Sequence, residues 1–222
     1  MSTTRPRLRT VVRAAGAAAL VVVLAACGNN AGSAVVVGSS SVSDATISSQ
    51  VDEVYQVFQD NAKNVQLQGA SFDRGAATAS TVDRLTRQLL LEEAARREGV
   101  TVTQGQVDQI ISQTIEAQFS GDRTGLEIAL AGQQNIPPSQ INDFARAFLL
   151  TDALGKKLAP SGDGTAQQKA VVDYLVKLGD EIGVEVAPRF GTWDPAQAQL
   201  GPVTDDLSKL PGVESAQPIP AG

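Results

Sequence analysis

The chain has 222 residues and a formal net charge of −6, with 42% hydrophobic, 19% charged and only 4% aromatic residues. This composition is normal for a globular protein and too apolar for a chain that is disordered throughout. It contains no histidine and one cysteine, which excludes histidine-based nucleophile pairs, histidine-ligated zinc or haem, internal disulfides and CxxC redox centres. No glycine-rich phosphate loop follows a strand, so we expect no metal, no cofactor and no enzymatic activity.

Residues 1–26 have the layout of a secretory signal peptide. Four arginines precede an apolar run from Ala14 to Ala26. As a helix this run would be about 20 Å long, which is shorter than the ~30 Å hydrocarbon core of a bilayer. We therefore predict export by a Sec-type signal, followed by removal of residues 1–26.

The signal ends in a specific motif. Leu24, Ala25, Ala26 and Cys27, followed by glycine, resemble the lipobox of bacterial lipoproteins, which is cut before the cysteine so that the thiol carries a diacylglyceryl group. Acyl chains on one residue anchor a protein stably, because each buried methylene contributes about 0.8 kcal/mol. We predict lipidation at Cys27, a tether over residues 27–33, the lipid bilayer as a partner and a location on the outer face of the cell membrane. The alternative is a cytosolic protein with a stray buried thiol.

Without residues 1–26 the chain has 14 basic and 24 acidic side chains, a net charge of −10. Nucleic-acid binding needs clustered lysine and arginine, and this chain has no such cluster. Arg96, Arg97 and Arg146 are too few and too widely spaced to indicate an anion site. We predict no nucleic-acid partner.

Apolar residues at steps of three and four predict several short helices after a first strand, Ala34–Val37, that ends in a tight turn. Ser43 or Asp44 is expected to cap the first helix, and Gly99 to end the second. Thr103 and Gln106 resemble a capping box. The predicted helices run from about 44 to 64, 79 to 98, 103 to 119, 124 to 131, 138 to 158 and 165 to 178, with a loop at about 66–78.

Short connections between these helices favour a mainly α fold, a small helical bundle over residues 34–158. A polar break follows at 159–164. Residues 165–194 are predicted to form a returning helix and an extended segment that carries Phe190 and Trp193. From Pro195 the composition turns to proline, glycine and polar residues, which predicts a disordered tail over 195–222.

The order of these features resembles the N-terminal domain of the SurA and PrsA family of extracytoplasmic foldases, over roughly residues 34–194. The segments that carry the resemblance are the lipobox, the run Ala34 to Gly38 before a capped helix, Gln88 to Ala94 with Gly99 to Thr103 after it, and the closing Pro188 to Asp194.

The resemblance implies a bundle of the SurA N-terminal type with a short β pair, Val184–Val186 on Val35–Val37, that joins the chain ends. Full-length members insert a parvulin-type prolyl isomerase domain whose active site uses histidines, and residues 159–164 stand where it would be inserted. The implied function is a membrane-anchored chaperone or holdase for unfolded or extended secreted or envelope polypeptides, without isomerase activity. The alternative is a structural or adaptor lipoprotein that binds one dedicated envelope partner.

Four sets of side chains have more than one interpretation. Phe119, Phe144 and Phe148 lie at helical spacing and either line a client-binding crevice or pack in the core. Phe190 and Trp193 are expected to dock the extended segment onto the helices rather than to form a recognition patch. Neighbouring carboxylates on a helix do not face each other, so we interpret two further pairs as solvated charges, Asp52 with Glu53 and Glu92 with Glu93.

Overall fold

The computed structural model describes residues 32–63 and 71–202. The predicted signal peptide, Cys27, most of the tether and residues 203–222 lie outside the described residues. Within them the chain has six α-helices, a three-stranded antiparallel sheet and a separate two-stranded hairpin. The predicted mainly α class is therefore confirmed.

The chain ends of this fold meet in the sheet. Strand β1, Ser33–Val37, is central and pairs antiparallel with β2, Ser40–Ser43, and with β3, Val184–Val186. The predicted pairing of β3 with β1 is confirmed, with Val35 opposite Val186 and Val37 opposite Val184. β2 adds a strand to the expected pair, because Gly38 at φ +57 allows a tight turn that folds the chain back on β1.

The first two helices begin at side-chain caps. Helix α1 spans Asp44–Asp60, and the Ser43 hydroxyl accepts a hydrogen bond from the Thr46 amide at 3.1 Å. Helix α2 spans Arg74–Glu98 and begins earlier than predicted, because the Asp73 carboxylate accepts from the Ala76 amide at 3.0 Å and allows helix across the last part of the predicted loop. It ends at Gly99, which adopts a left-handed conformation as expected.

Helices α3 and α4 follow with short connections. Helix α3, Gln104–Phe119, opens with the predicted capping box of Thr103 and Gln106. Helix α4 spans Arg123–Gln134 and passes through Gly132, where the sequence predicts its end. The helix ends instead at Asn135, which has φ +54. Asparagine tolerates the left-handed region, and its backbone N–H donates to the Ala131 carbonyl.

The last two helices form the returning arm of the bundle. After a single turn of 3-10 helix at Pro138–Gln140, α5 spans Ile141–Leu158, and α6 spans Gly164–Ile182. The cap of α6 is Asp163 rather than the predicted Thr165, because the Asp163 carboxylate accepts from the Ala166 amide at 2.8 Å. The connection between α5 and α6 is therefore only residues 159–163, which leaves no inserted domain at this point of the chain.

The disorder predicted from residue 195 is wrong as far as residue 201. Strand β4, Thr192–Asp194, pairs antiparallel with β5, Gln199–Gly201, and Trp193 lies opposite Leu200. Two tertiary features could not be predicted from the polar composition of this segment. Ala198 is buried, and the Leu200 amide donates to the Asp83 carboxylate of α2 at 2.7 Å.

α6 joins the other two long helices at different ends. Near its start it packs on α5, where a Cβ added to Gly155 would lie 3.0 Å from the Gln167 Cβ. Near its end, the Glu181 carboxylate accepts from Arg97 of α2 at 2.8 Å. One continuous core runs through the bundle and the sheet, and its fully buried large side chains include Val35, Ile47, Val51, Val82, Leu90, Val107, Ile136, Ile141 and Leu154.

Candidate functional site

A groove of about 760 Å³ lies between α2, α5 and α6. It forms because α6 contacts α5 near its start and α2 near its end, so that the facing sides of α2 and α5 are incompletely covered between these contacts. We call it the α2–α5–α6 groove. The residues that line it are Ser80, Asp83, Arg84, Arg87, Gln88, Leu91, Gln134, Ile136, Phe144, Ala147, Phe148, Thr151, Asp152, Gly155, Gly164, Gln167, Gln168, Val171, Val172 and Leu175.

The apolar surface of the groove contains two of the three phenylalanines that the sequence singles out. Phe144 and Phe148 are four residues apart on α5 and therefore lie on the same face of the helix. Phe144 is half-buried, whereas Phe148 has 60% of its surface exposed and is the one large hydrophobic side chain left exposed in residues 32–63 and 71–202. An exposed aromatic ring beside a groove is typical of a binding surface.

Phe119 lies elsewhere. It is the last residue of α3, it is half-buried against the core, and its ring lies 3.1 Å from the position of a Cβ added to Gly125 of α4. Phe119 is not among the residues that line the groove. The structure thus brings together Phe144 and Phe148 and separates them from Phe119, which packs between two helices.

Arg84 is the charged residue of the groove that sequence reasoning missed. Its Nη2 donates to the Gln50 side-chain oxygen of α1 at 2.6 Å, while its Nη1 is buried and has no hydrogen-bond partner. Burial lowers the pKa of the Arg84 guanidinium, and the nearby Asp143 carboxylate opposes that shift. A sequence signal existed, because Arg84 lies seven residues from both Ala77 and Leu91 and so shares the buried face of α2.

The carboxylates that line the groove have partners already. Asp83 accepts from the Leu200 amide and lies 3.8 Å from an Arg87 nitrogen. Asp152 accepts from Lys156 at 2.7 Å. Arg87 thus lies beside a carboxylate, whereas the direct hydrogen bond of Arg84 goes to the neutral side-chain amide of Gln50. Arginine bonds most strongly to carboxylates, so this difference affects which ligands the groove can hold.

The four carboxylates interpreted from the sequence as solvated charges all accept hydrogen bonds at exposed positions. Glu93 accepts from Arg96 and from Arg97, at 2.6–2.8 Å, and these hydrogen bonds lower its pKa to about 2.

The other three carboxylates have separate partners. Glu53 accepts from Ser139, 86 residues further along the chain. Asp52 accepts from Arg74, and Glu92 accepts from the Gln88 side chain. The neighbouring carboxylates are therefore exposed charges that bond to different groups.

The closing segment docks onto the helices, as expected. Phe190 and Trp193 are half-buried and pack against the core. The Arg189 guanidinium lies 4.8 Å from the centre of the Phe190 ring and also pairs with Asp44 at the start of α1. These contacts fasten the end of the fold to its beginning, away from the α2–α5–α6 groove.

The described part of the chain lacks two further features. No group of three or more histidine, cysteine, aspartate or glutamate side chains there is placed to hold a metal ion. No helix within the same residues is both long and apolar enough to cross a bilayer.

The fold is a small helical domain in which β1 and β3, from the two ends of the helical bundle, are joined in a β-sheet, and a groove lies between three of its helices. A family model described as the SurA-like N-terminal domain matches residues 2–149, well over half of the chain. The protein therefore belongs to the SurA-like N-terminal domain family, an extracytoplasmic family whose N-terminal domain is of a chaperone type and is itself non-catalytic. Searches of curated proteins and of solved structures found no match.

Proposed function

We propose that this protein is a membrane-anchored holdase that binds extended, non-native segments of secreted or envelope polypeptides in the α2–α5–α6 groove. The single observation that carries the proposal is Phe148, an aromatic ring with 60% of its surface exposed at a groove of about 760 Å³. Membership of a chaperone-type family supports the same conclusion.

The groove suits a weakly held chain better than a small rigid ligand. The residues lining it on α2 extend from Ser80 to Leu91, about 16 Å along the helix axis, which matches about five residues of extended chain. Such a client loses conformational entropy on binding, so the affinity should be modest. Glutamine and threonine side chains along the groove offer hydrogen bonds to a client backbone without demanding one client sequence.

Anchoring at the membrane would be supplied by Cys27. The lipobox-like sequence around it supports cleavage before Cys27 and acylation of its thiol, which would hold the domain close to the membrane surface where exported chains emerge. Cys27→Ser should then move the protein from the membrane fraction to the soluble fraction or leave it as uncleaved precursor. Unchanged membrane partition with normal cleavage would overturn the anchor.

The holdase is proposed to act without prolyl isomerase activity. The sequence has no histidine, whereas the parvulin active site of full-length relatives uses histidines. The connection of α5 to α6 by residues 159–163 also leaves no room for the inserted catalytic domain. Uncatalysed isomerisation takes tens of seconds, and the purified domain should not shorten that time.

The test measures aggregation of two unrelated denatured proteins with and without the soluble domain, residues 28–222, at low molar excess. The parent domain should delay aggregation of both, and Phe148→Ser should weaken that effect while retaining its helical circular dichroism. Phe58→Ser is the matched control, because Phe58 of α1 is half-buried and does not line the groove.

The outcomes separate the two candidate functions. No delay of either aggregating protein by the folded parent domain would overturn the holdase and favour an adaptor for one dedicated envelope partner. A delay that survives unchanged in folded Phe148→Ser would keep the holdase and exclude Phe148 as its contact residue.

A further inference from the structure

We propose that Arg84 makes the α2–α5–α6 groove selective for extended segments that carry an acidic side chain next to apolar residues. This inference rests on the proposed function and names the chemistry of the segments that the groove would prefer. In this proposal the acidic side chain bonds to the Arg84 guanidinium, and the apolar residues pack on Phe144 and Phe148.

The first argument is the hydrogen-bond inventory of Arg84. A guanidinium has five N–H donors and is most stable when it faces a carboxylate, often through two parallel hydrogen bonds. Arg84 instead donates to the neutral amide of Gln50, and its Nη1 has no acceptor although it is buried. A buried donor without an acceptor is costly, so an incoming carboxylate would remove a penalty that exists in the unliganded domain.

The second argument is which charges face Arg84 from the surrounding helices. Asp143 of α5 influences it at a distance but forms no hydrogen bond with it. Asp83 and Arg87, its neighbours on α2, face each other at 3.8 Å, and Gln50 of α1 is neutral. Since the nearby carboxylates do not bond to Arg84, a ligand carboxylate would not have to displace a carboxylate of the protein.

The third argument is location. Arg84 lines the same groove as Phe144 and Phe148, and α5 and α2 run in the same direction, because Asp143 lies near Arg84 and Lys157 donates to the Glu98 carbonyl further along. The cation and the aromatic rings are therefore parts of one surface. Arginine has a long, flexible stem, so a small rotation can bring the covered Nη1 towards a ligand.

The overall negative charge of the protein would by itself favour the opposite kind of client. From residue 27 onward the chain has 14 basic and 24 acidic side chains, so non-specific electrostatics would favour basic client segments. A preference for an acidic segment must come from a local cation. Arg84 is the candidate, because Arg87 already faces Asp83.

The experiment measures binding of fluorescein-labelled, C-terminally amidated peptides to the soluble domain, residues 28–222, by anisotropy. Three peptides share the frame Gly-Leu-Phe-Xaa-Leu-Phe-Gly, with aspartate, asparagine or lysine at the central position. The wild-type domain should bind the aspartate peptide roughly tenfold more tightly than the asparagine peptide, and the lysine peptide no better than the asparagine one. High salt should reduce the advantage of the aspartate peptide.

Two variants assign the preference to a residue. Arg84→Met should remove the preference while leaving weak binding of all three peptides. Because it also removes the hydrogen bond to the buried Gln50 side chain, circular dichroism and the urea midpoint check that the variant is folded. Arg96→Met is the matched control, because Arg96 lies on the same helix but does not line the groove, and it should keep the preference. The comparison of aspartate and asparagine peptides on the wild-type domain depends on no variant and tests the proposal even if Arg84→Met fails to fold.

Each contrary outcome has a distinct meaning. Equal binding of the aspartate and asparagine peptides by the wild-type domain would overturn the role of Arg84 and leave the holdase intact. A preference that persists in folded Arg84→Met would also overturn it, as would an asparagine peptide that gains the same advantage from a free C-terminal carboxylate. Absence of binding to every peptide, together with no delay of aggregation, would overturn the proposed function itself.

Discussion

Glu53 of α1 accepts two hydrogen bonds from Ser139, one from the backbone amide at 2.8 Å and one from the hydroxyl at 2.6 Å. Ser139 lies in the 3-10 turn that leads into α5. The carboxylate of one helix thus fixes the turn from which α5, the helix that carries Phe144 and Phe148, begins. This relationship couples the first helix of the fold to the position of the groove.

Glu53→Ala should lower the free energy of unfolding by about 1–2 kcal/mol, because it removes the acceptor of two hydrogen bonds in a partly exposed place. Asp52→Ala is the matched control. Asp52 forms an exposed ion pair with Arg74, and such pairs contribute less than about 1 kcal/mol. Urea unfolding of both variants checks the difference, and equal losses would contradict a role for Glu53 in holding the turn.

Thr81→Val should raise the free energy of unfolding by up to about 1 kcal/mol. The Thr81 hydroxyl is buried without a hydrogen-bond partner, and valine has nearly the same shape without the polar atom. Thr86→Val is the control on the same helix, where the equally buried hydroxyl donates to the Val82 carbonyl at 2.7 Å. Thermal unfolding should rank Thr81→Val above Thr86→Val, and the reverse order would show that Thr81 has a partner after all.

Gly155→Ala should destabilise the packing of α5 on α6 by about 1–2 kcal/mol. An added Cβ would lie 3.0 Å from the Gln167 Cβ and 3.3 Å from the Gln167 carbonyl oxygen, and backbone atoms cannot move aside by rotating a side chain. Gly105→Ala is the control, because its Cβ would meet nothing within 4 Å and alanine is the better helix former. A stability gain in both variants would mean that α6 shifts without cost.

The contribution of Glu93 to stability should depend on pH. Hydrogen bonds from Arg96 and Arg97 hold the pKa of Glu93 at about 2 in the folded protein, against an ordinary value of 4.5. A group whose pKa is lowered by folding stabilises the fold above its ordinary pKa and loses this effect as the pH falls towards the folded value. The contribution should therefore be complete at pH 7 and decline between about pH 4.5 and pH 2.

Urea midpoints of the wild-type domain and of Glu93→Gln measure this dependence. The difference between the two proteins should be largest at neutral pH and shrink towards pH 2. Glu92→Gln is the control, because Glu92 accepts from the neutral Gln88 amide at 3.3 Å. A difference for Glu93→Gln that stays constant over this range would contradict the lowered pKa.

Signals that act over a few residues were readable in the sequence. The capping box of Thr103 with Gln106 and the helix end at Gly99 were correctly predicted, because each depends on atoms three to five residues apart. The boundaries that were missed, such as the cap at Asp163 in place of Thr165, came from a choice between two capping residues that are both adjacent to the helix.

The residues that line the groove could be predicted only in part from the sequence. Periodicity put Phe119, Phe144 and Phe148 on apolar helix faces, but it did not show that Phe119 packs against α4 whereas Phe148 stays exposed. Helical spacing identifies a face and does not identify the element that covers it. Arg84 was missed because arginine is usually a surface residue, although its spacing from Ala77 and Leu91 places it on the buried face of α2.

The sequence by itself determined the helical class and most helix ends, because periodicity and caps are local properties. The pairing of β3 with β1 joins distant parts of the chain and was expected only from the family resemblance. Only the tertiary structure decided how α6 crosses from α5 to α2, which leaves the groove between them, and that Glu53 bonds Ser139. It also decided that the hairpin of β4 and β5 forms on Asp83, 117 residues before Leu200. The physical reason is that these contacts join residues far apart in the chain, and their energies exist only after the helices have packed.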